Sequence, residues 1–235
     1  MGWWSSIKKA VKKAWRVVKA TVRAIVKIVI EIVVRIINFI LVWLPIQKKL
    51  RIQVFILRDE AGNPLLNDPV SQQALQNALD YAITTFKDRF KVEIKPYGKP
   101  VIQILSKAVP AAALDVKCDS GAASNEWGEA GEYFANNLAG WNLIPINIGF
   151  PITVFIVRDV AGKLGCSLGP LADYVTVSIA GTRSSSTLAH ELGHCCGLLH
   201  REDIKNLMYP NDGRDNNVTG WQKFVVRNSR HCTFW

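Results

Sequence analysis

Apolar and charged positions at the start of the chain predict one long helix. From Ile25 to Leu44 almost every residue is Ile, Val, Phe, Leu or Trp, and charges interrupt the run about every four positions. Residues four apart lie on the same side of a helix, so the charges form one narrow stripe. We therefore predict a cationic, largely apolar helix within residues 1–49, ended by Pro45.

Residues 50–235 show the patterns of a separate α+β domain. Alternation of apolar and polar residues, or short apolar runs, predicts strands at 50–57, 91–95, 101–105, 152–157 and 174–179. Helical periodicity predicts helices at 70–90, 185–196 and 220–230. Hydroxyl residues predict the N-caps of the last two helices, Ser184–Ser186 for the first and Thr219 for the second. Trp221, Phe224 and Val225 of the last helix are predicted to pack in the core.

The positive charge is confined to the first part of the chain. Residues 1–51 hold twelve Lys and Arg residues against the single acid Glu31, while the whole chain has a net charge of +10. The remainder is therefore close to neutral, which argues against nucleic-acid binding by the folded domain.

Three arrangements remain open for the N-terminal helix. Its apolar residues favour membrane insertion by roughly 5–9 kcal/mol, but Lys27, Glu31 and Arg35 each cost about 2.5–3.5 kcal/mol at the centre of a bilayer. Spanning is therefore marginal unless these charges pair with one another or with other copies. The helix can instead lie in the membrane interface, with its basic stripe towards the headgroups. The third arrangement is packing against protein, including a self-assembled bundle. We expect membrane association or self-association through residues 1–45.

One short segment of the domain carries metal chemistry. It reads H-E-x-x-H-x-x-G-x-x-H, with His190, Glu191, His194, Gly197 and His200 at the fixed positions. Residues i and i+4 of a helix share a face, so the first two imidazoles can reach one ion, and the carboxylate lies beside them. Glycine lets the helix end and the chain turn back with a third imidazole. Three histidines with an open fourth position are typical of a catalytic zinc site.

A methionine follows the motif at short range. Met208 lies eight residues after the third histidine, within Asn206-Leu207-Met208-Tyr209-Pro210. Together the motif and this run resemble the metzincin zinc endopeptidases, and the run is most similar to the matrixin branch. The resemblance implies a twisted mixed sheet, an active-site helix, a C-terminal helix and a methionine turn beneath one catalytic zinc ion.

The resemblance also implies a mechanism and a binding site for a peptide or protein substrate. Glu191 would be the general base that deprotonates a zinc-bound water and then protonates the departing amine. An extended peptide would add to an edge strand, for which the candidates are Leu164, Gly165, Cys166, Ser167 and Leu168. The pocket beside the cleaved bond would be walled by Tyr209, Pro210 and Asn211.

The five cysteines predict one or two disulfides and leave at least one thiol within the monomer. We expect Cys118 to pair with Cys166, and either Cys195 or Cys196 to pair with Cys232.

Other acids and one thiol are weaker candidates for metal binding. Matrixins often bind calcium, and Glu126, Glu129 and Glu132 could do so, although a solvated surface is the ordinary interpretation of such acids. A fourth zinc ligand could come from Cys118, Asp115 or Asp119.

The function predicted is therefore a zinc endopeptidase joined to a cationic apolar helix. We expect it at a membrane with the protease domain outside the cytoplasm, or secreted. A membrane-active or pore-forming toxin, whose helix is the effector and whose protease is auxiliary, is one alternative. A zinc-binding scaffold without catalysis is another.

Overall fold

The computed structural model describes residues 3–40, 47–118, 128–140 and 150–234 of the chain, which forms a mixed α/β fold. The helices are α1 (Trp3–Ile40), α2 (Pro69–Thr85), α3 (Ala111–Leu114), α4 (Glu129–Asn136), α5 (Ile179–Thr182), α6 (Thr187–Cys195) and α7 (Gly220–Arg227). The strands are β1 (Lys48–Ile56), β2 (Val92–Pro96), β3 (Ile102–Ile104), β4 (Asp115–Val116), β5 (Ile152–Val157), β6 (Asp159–Val160), β7 (Gly165–Ser167), β8 (Tyr174–Ser178) and β9 (Cys232–Thr233). Every strand and helix predicted after residue 49 is confirmed, although several end a few residues earlier.

A mixed sheet forms the centre of the domain, in the order β2-β1-β5-β8-β7. Strands β2, β1, β5 and β8 run parallel, and β7 is antiparallel to β8 at the edge. Strand β3 pairs with β1 beyond β2, and β9 pairs with β1 antiparallel. All six residues of β5 are buried, as expected of a parallel strand covered on both faces.

Helices cover both faces of the sheet. On one face, α2 begins at an Asp68 cap that accepts a hydrogen bond from the Ser71 N–H, and its buried stripe packs beside α6. On the other face, Phe134 of α4 lies 4.8 Å from Phe155 and 5.1 Å from Tyr174, measured between ring centroids. The histidine motif on α6 is therefore on the α2 side of the sheet.

Helix α1 lies against this domain through its charged stripe. Lys27 Nζ is 2.6 Å from Asp173 Oδ2, Arg230 Nη2 is 2.5 Å from Asp173 Oδ1, and Arg230 Nε is 3.5 Å from Glu31 Oε2. Burial raises the pKa of Asp173, but Lys27 and Arg230 outweigh that effect and lower it to about 2. We call Lys27, Glu31, Asp173 and Arg230 the buried ionic cluster.

The opposite side of α1 is apolar and exposed. Val29 and Ile36 are each 56 % exposed, whereas Glu31 between them is 7 % exposed. In this part of the helix Glu31 is therefore directed inward, whereas most of the apolar side chains point outward. No helix in the described part of the chain is both long enough and apolar enough to cross a bilayer.

Two predictions about helix ends and faces are wrong. Trp221 is 71 % exposed and stacks on the partly exposed Phe224 at the surface, so only Val225 of that trio is in the core. Ser186 occupies the N-cap position of α6 without a side-chain capping bond, and Ser184 donates to Asp212 instead. Thr219 does cap α7, within a complete capping box.

Candidate metal centre and substrate cleft

Helix α6 brings the first two histidines together. His190 and His194 lie one turn apart on it, and their Nε2 atoms are 3.0 Å from each other. The Nε2 atom of His200 is 3.0 Å from that of His194. The motif therefore places three imidazole nitrogens around one point, as the spacing predicts.

The turn after α6 delivers the third histidine and orients the second. Gly197 has φ of +95°, and its N–H donates to the His194 carbonyl, while the Leu198 N–H donates to the Gly193 carbonyl. This pair of bonds is a Schellman motif, which needs a left-handed residue after the cap. The Leu198 carbonyl then accepts a hydrogen bond from His194 Nδ1 at 2.7 Å. The same turn therefore both ends α6 and orients the His194 imidazole.

A second backbone carbonyl orients His190. Its Nδ1 donates to the Leu207 carbonyl at 2.8 Å, which leaves the Nε2 lone pair of the neutral ring directed at the cluster. Leu207 precedes Met208, whose buried thioether lies beneath α6. A β-carbon at Gly193 would be 2.8 Å from the Met208 sulfur, so this glycine makes room for it.

The methionine turn is fixed by two buried amides that the sequence did not single out. Asn206 and Gln222 exchange two hydrogen bonds of 2.9 Å, and Asn206 Oδ1 also accepts from the Met208 N–H at 3.0 Å. Gln222 is also the capping-box residue that accepts from the Thr219 N–H. The start of α7 therefore supports the floor of the metal site.

The three imidazoles fit a zinc ion. Ligand nitrogens of a tetrahedral zinc, about 2.0–2.1 Å from the metal, are separated by roughly 3.3 Å. His194 Nε2 is 3.0 Å from each of the other two Nε2 atoms, and the three ligand atoms all lie within 4.8 Å of one another. Burial lowers the pKa of His190 to about 3 and of His194 to about 4, so both rings are neutral ligands at physiological pH. Within the described residues this is the one cluster of three or more metal-ligating side chains.

Glu191 lies beside the cluster in a tight space. Its side chain is 6 % exposed, and burial raises its pKa to about 8, although Arg214 and Lys163 oppose the rise. A β-carbon at Gly165 of β7 would be 2.8 Å from Glu191 Cγ. The glycine therefore lets the edge strand pass directly over the carboxyl group.

A cleft of about 630 Å³ joins the histidines to the edge strand. Of the predicted substrate-binding residues it contacts Leu164, Gly165, Cys166, Ser167, Pro210 and Asn211. Leu168 and Tyr209 do not line it. Strand β7 is at the edge of the sheet, where an extended peptide can add.

The structure confirms one prediction about the cysteines and corrects the other. The pairing of Cys118 with Cys166 is confirmed. The pairing to Cys232 is wrong, because Cys195, Cys196 and Cys232 are buried free thiols. Burial raises the pKa of Cys195 to about 12, which makes it unreactive.

The weaker candidates for metal ligands have other partners. Cys118 cannot supply a thiolate to zinc while it is in the disulfide, and Asp115 forms an ion pair with Arg158. Glu132, a calcium candidate, pairs with Arg16 of α1 at 2.7 Å. Asp119 and Glu126 lie outside the described residues.

Several cleft residues were missed, namely Gly162, Lys163, Thr187, Asp212 and Arg214. Arg214 lines the cleft, yet only its position between charged and polar neighbours is visible in the sequence, Asp212-Gly213-Arg214-Asp215-Asn216. Such a run is typical of a solvated loop, and no periodicity distinguishes the one side chain that turns inward.

Comparison with solved structures finds a likeness to metalloproteinase-II from Bacteroides fragilis. The two share 15 % sequence identity over 77 % of this chain and 52 % of that chain, with a TM-score of 0.49. The chain thus spans about half the length of that structure. No protein-family profile and no curated protein matches the sequence. The case for function therefore rests on the residues of the site.

Proposed function

We propose that the chain is a zinc-dependent endopeptidase of the metzincin type, with His190, His194 and His200 as ligands and Glu191 as general base. The observation that carries this proposal is the convergence of three imidazoles, of which His190 and His194 are oriented from behind by backbone carbonyls. Such outer partners are what metal-binding histidines use to fix the tautomer.

The residues around the cluster suit peptide hydrolysis. A zinc ion held by the three histidines would lower the pKa of a bound water and polarise the carbonyl oxygen of the substrate. Glu191 lines the cleft beside the three histidines, where its carboxylate form can accept a proton from water and return it to a leaving amine. Among the described residues β7 has no strand partner on its outer edge, so a peptide can lie beside Gly165 and directly above the carboxyl group.

The test uses the full chain and one isosteric substitution. Wild type should bind one zinc ion per chain and cleave an unstructured protein, and Glu191→Gln should retain zinc but lose about 10²–10⁴-fold in kcat. Glu93→Gln, on β2 away from the cleft, is the control and should cleave as wild type does. Zinc binding without any cleavage by wild type would support the non-catalytic scaffold instead.

We further propose that α1 holds the enzyme at an anionic membrane surface. Its outward residues from Val22 to Ile40 are mostly apolar, and Lys8, Lys12, Lys13 and Lys19 are exposed towards its N-terminal end. A helix with such an apolar face and a basic end binds the interface of anionic lipids. Because the charged stripe already faces the domain, the apolar face can be immersed without breaking the buried ionic cluster.

Flotation with liposomes tests this second proposal. The full chain should float with phosphatidylserine vesicles, and Ile25→Asp with Ile32→Asp should abolish flotation, since both side chains are exposed. Val70→Asp, on α2 and 80 % exposed, is the matched control. If the full chain does not float, its mass should be measured by light scattering. A mass above that of the monomer, reduced by the two aspartate substitutions, would show that the apolar face mediates self-association. Release of trapped dye would favour the toxin alternative.

A further inference from the structure

Arg214 is a buried cation within an exposed loop. Asn211, Asp212, Gly213 and Asp215 are exposed, whereas Arg214 is 9 % exposed and lines the same cleft as Glu191 and the three histidines. Its Nε donates to the Asn211 carbonyl at 3.0 Å. Asn211 also lines the cleft, so this bond ties the guanidinium to the cleft wall.

The guanidinium has spare hydrogen-bonding capacity and no close counter-ion. Nη1 is buried and has no hydrogen-bond partner in the described residues. Glu191 and Asp212 are near enough to favour the charge, but neither forms an ion pair with it in the described part of the chain. Asp212 instead accepts from the Ser184 hydroxyl at 2.6 Å.

Such an arrangement is costly unless a ligand completes it. A buried charge without a partner destabilises a protein by several kcal/mol, and arginine cannot escape the cost by losing its proton. The planar guanidinium offers parallel N–H donors that match a carboxylate. Lys163, the other cation that lines the cleft, is exposed, so the buried guanidinium of Arg214 is the group that most needs a carboxylate from a bound substrate.

We propose that Arg214 binds a carboxylate of the peptide substrate beside the scissile bond, so that the enzyme selects peptides that present one there. The carboxylate can belong to an Asp or Glu side chain or to the C-terminus of the peptide. This inference rests on the proposed peptidase function and adds its substrate class.

Substrate pairs provide the first test and need no variant. With both peptide ends blocked, the zinc-loaded full chain should cleave an Asp peptide about 10- to 100-fold faster in kcat/KM than its Asn counterpart, the effect of one hydrogen bond to a charged group. If blocked peptides show no such preference but free C-termini are required, the terminal carboxylate is the ligand. Equal rates for Asp, Asn, blocked and free peptides would overturn the proposal.

Variants then assign the preference to this residue. Arg214→Gln should remove the Asp-over-Asn ratio and spare the Asn peptide, while Arg214→Lys should keep part of the ratio. Arg183→Gln replaces an exposed arginine that does not line the cleft, and should leave the ratio unchanged. A full ratio in folded, zinc-loaded Arg214→Gln would also overturn the proposal.

A binding measurement separates this inference from the peptidase proposal. Zinc-loaded Glu191→Gln should bind the Asp peptide about 10- to 100-fold more tightly than the Asn peptide without cleaving either. If the variant binds the Asp peptide more tightly by this factor but wild type cleaves neither peptide, the peptidase function is refuted and the carboxylate site is retained. Equal dissociation constants would remove the carboxylate site.

Discussion

Replacing Asn206 by alanine should weaken both the fold and the metal site. The substitution removes the two 2.9 Å bonds to Gln222 and the 3.0 Å bond from the Met208 N–H, all of them buried. Each bond contributes about 1 kcal/mol net, and leaving Gln222 and Met208 with unpaired buried N–H groups adds a penalty, so we expect a loss of about 3–4 kcal/mol. The turn also carries the Leu207 carbonyl that orients His190, so zinc affinity should fall about 10- to 100-fold.

Two measurements on the full chain check this expectation. Urea unfolding of the metal-free protein gives the stability change, and competition with a chromophoric chelator gives the zinc dissociation constant. Asn77→Ala removes one exposed side-chain bond on α2 and should change stability by less than about 0.5 kcal/mol. A change below about 1 kcal/mol for Asn206→Ala, with unaltered zinc affinity, would show that backbone bonds alone hold the turn.

Three further predictions concern the site and the N-terminal helix. Gly165→Ala would place a β-carbon 2.8 Å from Glu191 Cγ and should lower kcat/KM about 100-fold at unchanged zinc content; a wild-type rate would contradict this. In the metal-free chain burial lowers the pKa of His190 and His231 to about 3 and that of His194 to about 4, so between pH 6.5 and 4 the unfolded chain binds up to three protons that the folded chain does not. The free energy of unfolding should therefore fall on acidification, and the raised pKa of Glu191 opposes this by at most one proton. Urea titrations across that pH range measure the change, and a free energy of unfolding that does not vary with pH would contradict the prediction. Lys27→Met removes one cation from the buried ionic cluster and should lower the free energy of unfolding by about 1–3 kcal/mol. Lys12→Met, at the exposed end of the helix, should leave it almost unchanged. Equal urea midpoints for the two variants would refute the docking of α1 on the domain.

The local sequence pattern was sufficient to predict those parts of the fold that depend on residues close together in the sequence. The histidine spacing, the left-handed Gly197 and the Thr219 cap each follow from the geometry of one turn of chain, and the structure confirms them. Strand β5 was predicted because five of its six residues are apolar, and such a run suits a buried parallel strand.

Features that depend on distant residues could not be predicted in this way. Helical spacing indicates that Trp221 shares a face with Val225, but it does not show how far the domain extends over that face. The amide pair of Asn206 and Gln222 joins residues 16 apart, and nothing local marks either as a partner. Arg214 turns inward only because the loop crosses the cleft.

The disulfide between Cys118 and Cys166 has a consequence for how a peptide is received. Cys166 is the middle residue of β7, so the strand that a substrate would pair with is covalently joined to the chain just after β4. A template restrained in this way loses less conformational freedom when a second strand aligns with it. Part of the conformational entropy that the proposed peptide binding would cost is thus already lost when the protein folds.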